Sequence, residues 1–97
     1  RAIVNFGKRD SAFDAGLPQP IAHYRAGKLR EMAAKSIETT GIMDQHAMLK
    51  LTPESDVKVG DILVFSTSHP CLTFDKWKAL LLIDDSYNVL ETLETAF

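Results

Sequence analysis

The apolar residues of this chain come in short runs, each bounded by glycine, proline, aspartate or serine. Ala2-Ile3-Val4-Asn5-Phe6 stops at Gly7, and Ala47-Met48-Leu49-Lys50-Leu51 follows the polar trio Asp44-Gln45-His46. Asp61-Ile62-Leu63-Val64-Phe65-Ser66 follows the turn-rich stretch Pro53 to Gly60. Runs of this length between such breakers build strands and turns, not helix bundles. Ser36-Ile37-Glu38-Thr39-Thr40 alternates in part, as a half-buried strand does. Lys78 to Ile83, the turn Asp84-Asp85-Ser86 and Tyr87 to Phe97 predict a closing hairpin. The fold expected is mostly β, a small barrel-like or sandwich arrangement. Lys58-Val59-Gly60-Asp61 ahead of an apolar run is a pattern with which small barrels turn a corner.

Three segments fall outside the strand reading. Residues 7–20 collect Gly, Asp, Ser and Pro, and predict an ordered loop anchored by Phe13, Leu17 and Ile21. Residues 26–34 have helix-forming composition, though too few to stand without packing. Residues 68–77 predict a second loop.

At 97 residues the chain holds one domain, residues 1–97. Its 45% hydrophobic and 25% charged residues are those of an ordinary globular domain. A strand-like run directly after Arg1, with no initiating Met and no signal sequence, predicts a piece of a longer protein. Eleven basic and thirteen acidic residues are interspersed for a net charge of −2, and no basic stripe offers a footprint for nucleic acid. The longest apolar run, Ala79-Leu80-Leu81-Leu82-Ile83, is a strand's worth and no membrane span. One cysteine rules out an internal disulfide and suits a reducing, cytoplasmic compartment.

The chemistry-bearing residues concentrate at His69-Pro70-Cys71. Imidazole and thiolate are ligands that zinc and similar borderline metals prefer, and with one residue between them both can reach a common ion. Pro70 stiffens the segment and lowers the entropy lost on binding. Two protein ligands cannot close a tetrahedral site. A metal held here would keep positions for water, substrate or another domain, as a catalytic ion does. Set against this is the plainer reading of Cys71 as a small buried hydrophobe. A third reading makes Cys71 a nucleophile with His46 or His69 as base. No Gly-rich turn or helix start is expected after it to supply an oxyanion hole. His46 is a candidate active-site residue facing the same cleft as His69, or part of a trio that turns a strand. Lys8-Arg9-Asp10 reads as an anion-binding group through Arg9 or as a solvated turn with local ion pairing.

The ordered set of motifs resembles a family. His69-Pro70-Cys71-x-Thr73-Phe74-Asp75-Lys76-Trp77, then Leu82-Ile83-Asp84-Asp85 and the stretch ending at Phe97, is similar to the C-terminus of D-serine deaminase-like proteins, the D-serine dehydratase and D-threonine aldolase group. Gly7-Lys8-Arg9-Asp10, Asp14-Ala15-Gly16-Leu17-Pro18 and Asp44-Gln45-His46 match the same group in the same order.

The resemblance implies an alanine-racemase-like protein in which an N-terminal α/β barrel carries pyridoxal phosphate on a lysine and a C-terminal β domain packs over the barrel mouth. The family's metal-binding His-x-Cys pair maps onto His69 and Cys71. The metal, typically zinc, would coordinate the substrate β-hydroxyl, where a Lewis acid stabilises the charge on departing hydroxide. The reaction implied is loss of water from a D-3-hydroxy amino acid such as D-serine, giving a 2-oxo acid and ammonia. A thiolate suits zinc better than manganese or magnesium and favours this branch over aldolase-type retro-aldol cleavage. Lys8 is not the expected cofactor lysine, which the resemblance places in the barrel. The resemblance further implies a homodimer and a β domain inactive alone. The reading from another class is a non-catalytic β module for partner or domain contacts.

Overall fold

A computed structural model describes residues 1–96; Phe97, the end of the expected closing hairpin, lies outside the described residues. Strands dominate, as the punctuated apolar runs require. In chain order they are β1 (Ala2–Val4), β2 (Pro20–Arg25), β3 (Lys28–Arg30), β4 (Ile37–Ile42), β5 (Ala47–Leu51) and β6 (Ile62–Phe65). A short helix α1 (Pro70–Phe74) follows, then β7 (Ala79–Ile83) and β8 (Val89–Glu94). The strands form three antiparallel sheets, in the orders β1-β5-β4, β3-β2-β6 and β7-β8. None closes into a barrel among the described residues.

The core sits on the inner face of the first sheet. Alternation along β4 and β5 buries Ile37 and Thr39, and Ala47 and Leu49, while Glu38, Thr40 and Lys50 face outward. Leu49 is fully buried, opposite Ala2 on one side and Thr39 on the other. Gln19 joins this sheet to the second: Thr39 N–H donates to its Oε1 at 2.9 Å and its Nε2 donates to the Thr39 carbonyl at 3.3 Å. Ser66 N–H donates to the Gln19 carbonyl at 2.9 Å. A side-chain amide thus supplies both hydrogen bonds that a strand neighbour would give.

Residues 26–34 do not form the helix their composition suggests. Ala26 (φ 52°) and Gly27 (φ 77°) make a two-residue left-handed turn that pairs Arg25 with Lys28, Tyr24 with Leu29 and His23 with Arg30. Such a turn matches the twist of the flanking strands, and β2, already paired to β6, overrides a weak local preference. The 68–77 segment differs in the opposite sense. Pro70 takes the first helical position, where its missing N–H costs nothing, and Thr73 N–H closes the turn on the His69 carbonyl at 3.0 Å.

The 7–20 loop is ordered and is clamped against the β4–β5 turn. Lys8 and Arg9 N–H groups donate to the Met43 and Asp44 carbonyls at 2.8 and 3.1 Å. Gly7 is buried there, and a Cβ on it would lie 2.4 Å from the Asp44 and Met43 backbone. Backbone cannot swing aside as a side chain can. Gly7→Ala is expected to destabilise the protein by about 2 kcal/mol, the scale of an overpacked site, read as a lower denaturant midpoint with an unchanged slope.

The β7–β8 hairpin stands apart from the two larger sheets. Leu81, Leu82, Ile83, Val89, Leu90 and Leu93 are all exposed. Its ties to the rest include an edge-to-face contact between Tyr87 and Tyr24, centroids 5.3 Å apart, and the Thr95 hydroxyl donating to the Trp77 carbonyl at 2.6 Å.

Candidate metal centre

His69 and Cys71 sit at the start of α1, one as its N-cap and the other in its first turn. Cys71 is free and exposed, so the reading of a buried hydrophobe fails. The segment starts a helix that the sequence did not signal, but that helix is only five residues long. Nucleophilic use of Cys71 would pair it with a histidine base. His69 instead turns its Nδ1 toward Asp14, with both carboxylate oxygens 3.0 Å away.

This contact decides what the imidazole can do. In the tautomer that carries its proton on Nδ1, the ring donates to the two carboxylate oxygens, and Nε2 is the nitrogen available to a metal. The same hydrogen bond holds the Asp14 carboxyl below the usual aspartate range. Imidazole and thiol two residues apart, one of them oriented by a carboxylate, are a donor set suited to zinc. Among the described residues no three His, Cys, Asp or Glu side chains cluster to enclose an ion, so a closed structural zinc site is not built from this part of the chain.

The other residues singled out in the sequence lie elsewhere. His46 is exposed in the β4–β5 turn, its carbonyl accepting from Met43 N–H at 2.7 Å. Its side chain and that of His69 do not hydrogen-bond to a common group among the described residues. Lys8 carries its ammonium over the Phe13 ring, 5.1 Å from the centroid. Asp10 accepts from the Gly7 N–H at 2.9 Å. The Lys8-Arg9-Asp10 trio is therefore a structured turn. An open cleft of about 1160 Å³, lined in part by Phe6, Asp61, Phe65, Thr73, Phe74 and Trp77, reaches the far end of α1 but not His46, His69 or Cys71.

The sequence reading missed a second polar cluster. His23 and Asp61 are both almost fully buried, with Nε2 and Oδ2 2.7 Å apart. Arg25 reaches the same carboxylate in a two-pronged grip, Nε to Oδ1 and a terminal nitrogen to Oδ2, each at 2.9 Å. It extends to Asp56, which also pairs with Arg30. Lys58 N–H caps Asp61 at 2.9 Å. Arg25 above all, then His23 and this N–H, hold the Asp61 carboxyl far below its usual range. A signal existed in the Lys58-Val59-Gly60-Asp61 turn, where an aspartate enters a strand. Its partners on β2, however, are 36 and 38 residues away. The buried His23–Asp61 pair and the Arg25 grip on it tie β2 to the turn that enters β6, while Asp56 and Arg30 at the outer end of the network are partly exposed.

No helix of the described residues is long and apolar enough to cross a membrane. The fold is that of a small, mostly-β domain. The family model described as "Putative serine dehydratase domain" matches residues 1–83, and the chain belongs to that family. The match takes in Asp14, His46, His69 and Cys71 and ends with β7. A search of the curated proteins gives no match.

Proposed function

We propose that this chain is the metal-bearing C-terminal β domain of a pyridoxal-phosphate enzyme that eliminates water from a D-3-hydroxy amino acid of the D-serine type, the dehydrated product then taking up water to give a 2-oxo acid and ammonia. The observation that carries this reading is the pairing of His69 with Asp14 beside an exposed Cys71, in a chain of the serine dehydratase family. His69, through Nε2, and Cys71, as thiolate, would hold one divalent ion, best suited to zinc. Bound there, such an ion supplies Lewis acidity to a substrate hydroxyl that must leave as hydroxide.

The chain's own residues perform the remaining tasks. Asp14 holds the His69 imidazole. Pro70 fixes the backbone between the two ligands at the first turn of α1. The 10–16 loop anchors that turn to the body of the domain through Thr73 and Trp77. His46 has no assigned step; it is a candidate that substrate binding would have to bring near the site. No residue of this chain is assigned to the cofactor, which belongs to the barrel domain of the same protein. In this reading the isolated domain is inactive and retains metal weakly, and the whole protein is a cytoplasmic homodimer.

The test is the visible absorbance of the full-length protein together with its products from D-serine. A band that borohydride abolishes, with equal amounts of pyruvate and ammonia formed, is the expected result. Glycine and an aldehyde from D-threonine, with no oxo acid from D-serine, would assign the aldolase reaction instead. A protein that shows no band after reconstitution with pyridoxal phosphate and turns over neither substrate would leave a non-catalytic β module.

A further inference from the structure

Alternate residues of the loop between β1 and β2 bind successive positions of the segment that carries the metal-ligand pair, running in the opposite direction. The Asp10 carbonyl accepts from Trp77 Nε1–H at 2.8 Å, and Ala12 N–H donates to the Thr73 hydroxyl at 3.0 Å. Asp14 meets His69 at 3.0 Å, and the Gly16 carbonyl accepts from the Ser68 hydroxyl at 2.7 Å. Three of these four ties serve to place a backbone. The fourth is different in kind, because its acceptor is a carboxylate and its donor is a ring nitrogen of the candidate ligand.

We propose that Asp14 is the positioning residue of the metal centre, holding His69 through Nδ1 so that Nε2 is turned to the ion. The inference rests on the reading of His69 and Cys71 as metal ligands and extends it to a residue 55 positions upstream of His69. A histidine that ligates a metal through one nitrogen gains basicity and a fixed ring orientation when the other nitrogen donates to a carboxylate. Both oxygens stand equally far from Nδ1, so the carboxylate engages this nitrogen of the ring and leaves Nε2 outside the contact. His69 and Asp14 side chains are 39% and 50% exposed, which leaves room for substrate or another domain to complete the site. Removing Asp14 deletes one loop tie of four, and the domain has others to keep its shape.

The experiment measures zinc affinity of the full-length protein by competition with a chromophoric chelator, for the wild type, Asp14→Asn and Asp14→Ala. Asparagine keeps the volume and one acceptor oxygen but loses the charge and the second oxygen. The expected order is wild type, then Asp14→Asn about tenfold weaker, then Asp14→Ala up to about a hundredfold weaker, the range typical of lost outer-shell partners. The melting temperature of the metal-free proteins is expected to be the same for all three. Wild-type zinc affinity in both variants would overturn the role given to Asp14 while leaving the ligand pair intact. A wild-type protein that binds no zinc would instead overturn the ligand reading itself, and this inference with it. Cobalt(II) gives a second readout: the thiolate charge-transfer band of the loaded wild type is expected to persist in Asp14→Asn with a weakened and shifted ligand field. An unaltered spectrum would count against the positioning role.

Discussion

Cys71→Ala in the full-length protein is expected to lower dehydratase turnover by about a hundredfold or more while leaving thermal stability nearly unchanged. Both halves follow from where the side chain lies. Lewis-acid stabilisation of a leaving hydroxide is worth several kcal/mol, and each 1.36 kcal/mol is a factor of ten in rate. In the proposed site, losing one of two protein ligands would remove most of the ion's hold on the chain. Cys71 is exposed and unpaired in a disulfide, and surface substitutions away from special features stay within about 0.5 kcal/mol. His69→Ala is expected to match it in activity. The pairing of large activity loss with small stability loss is what separates a ligand from a core cysteine, and paired kinetic and melting measurements read it directly. An active Cys71→Ala enzyme would remove the thiol from the mechanism.

His23→Ala is expected to show the opposite pattern, a loss of stability of about 3 kcal/mol with no specific effect on metal affinity. His23 is 1% exposed, lies on β2 opposite Leu63 of β6, and pairs its ring with Asp61 at 2.7 Å. Truncation leaves a cavity and strands one side of the Asp61 carboxylate in a place water cannot reach. For a domain of this size that corresponds to a melting point lower by roughly 15 °C. The network also sets a pH dependence. The folded Asp61 carboxyl titrates far below its unfolded value, chiefly because of Arg25. Its stabilising contribution is therefore fully present above about pH 4 and is lost as the pH falls through the lower folded value. Stability measured against pH should show the gap between the wild type and Asp61→Asn closing only below about pH 4. A gap that opens or closes near neutrality would assign it to some other group.

The strands were legible in the sequence where burial alternates within one run. Ala47–Leu51 is a strand over the whole of the run that suggested it, and the strands at Ile37, Ile62 and Ala79 begin within a residue of expectation. What the sequence hid is instructive in both directions. The β2–β3 hairpin depends on Ala26 accepting a left-handed conformation, which an alanine does not advertise. Helix α1 is a single turn set by Pro70 and the His69 carbonyl, too short to carry a period. Of the site, the His69-Pro70-Cys71 spacing was visible because its donors are neighbours in sequence. The contact of Asp14 with His69 was not, because it exists only once the first loop folds across α1. The His23–Asp61–Arg25 network was hidden for the same reason, its members lying on strands that meet only in the folded sheet.

Metal content per chain of the purified full-length protein tests the central claim most directly. About one divalent ion per chain in the wild type, and close to none in His69→Ala and Cys71→Ala, is the predicted result. An active wild-type enzyme without bound metal, or variants that keep the wild-type stoichiometry, would contradict it.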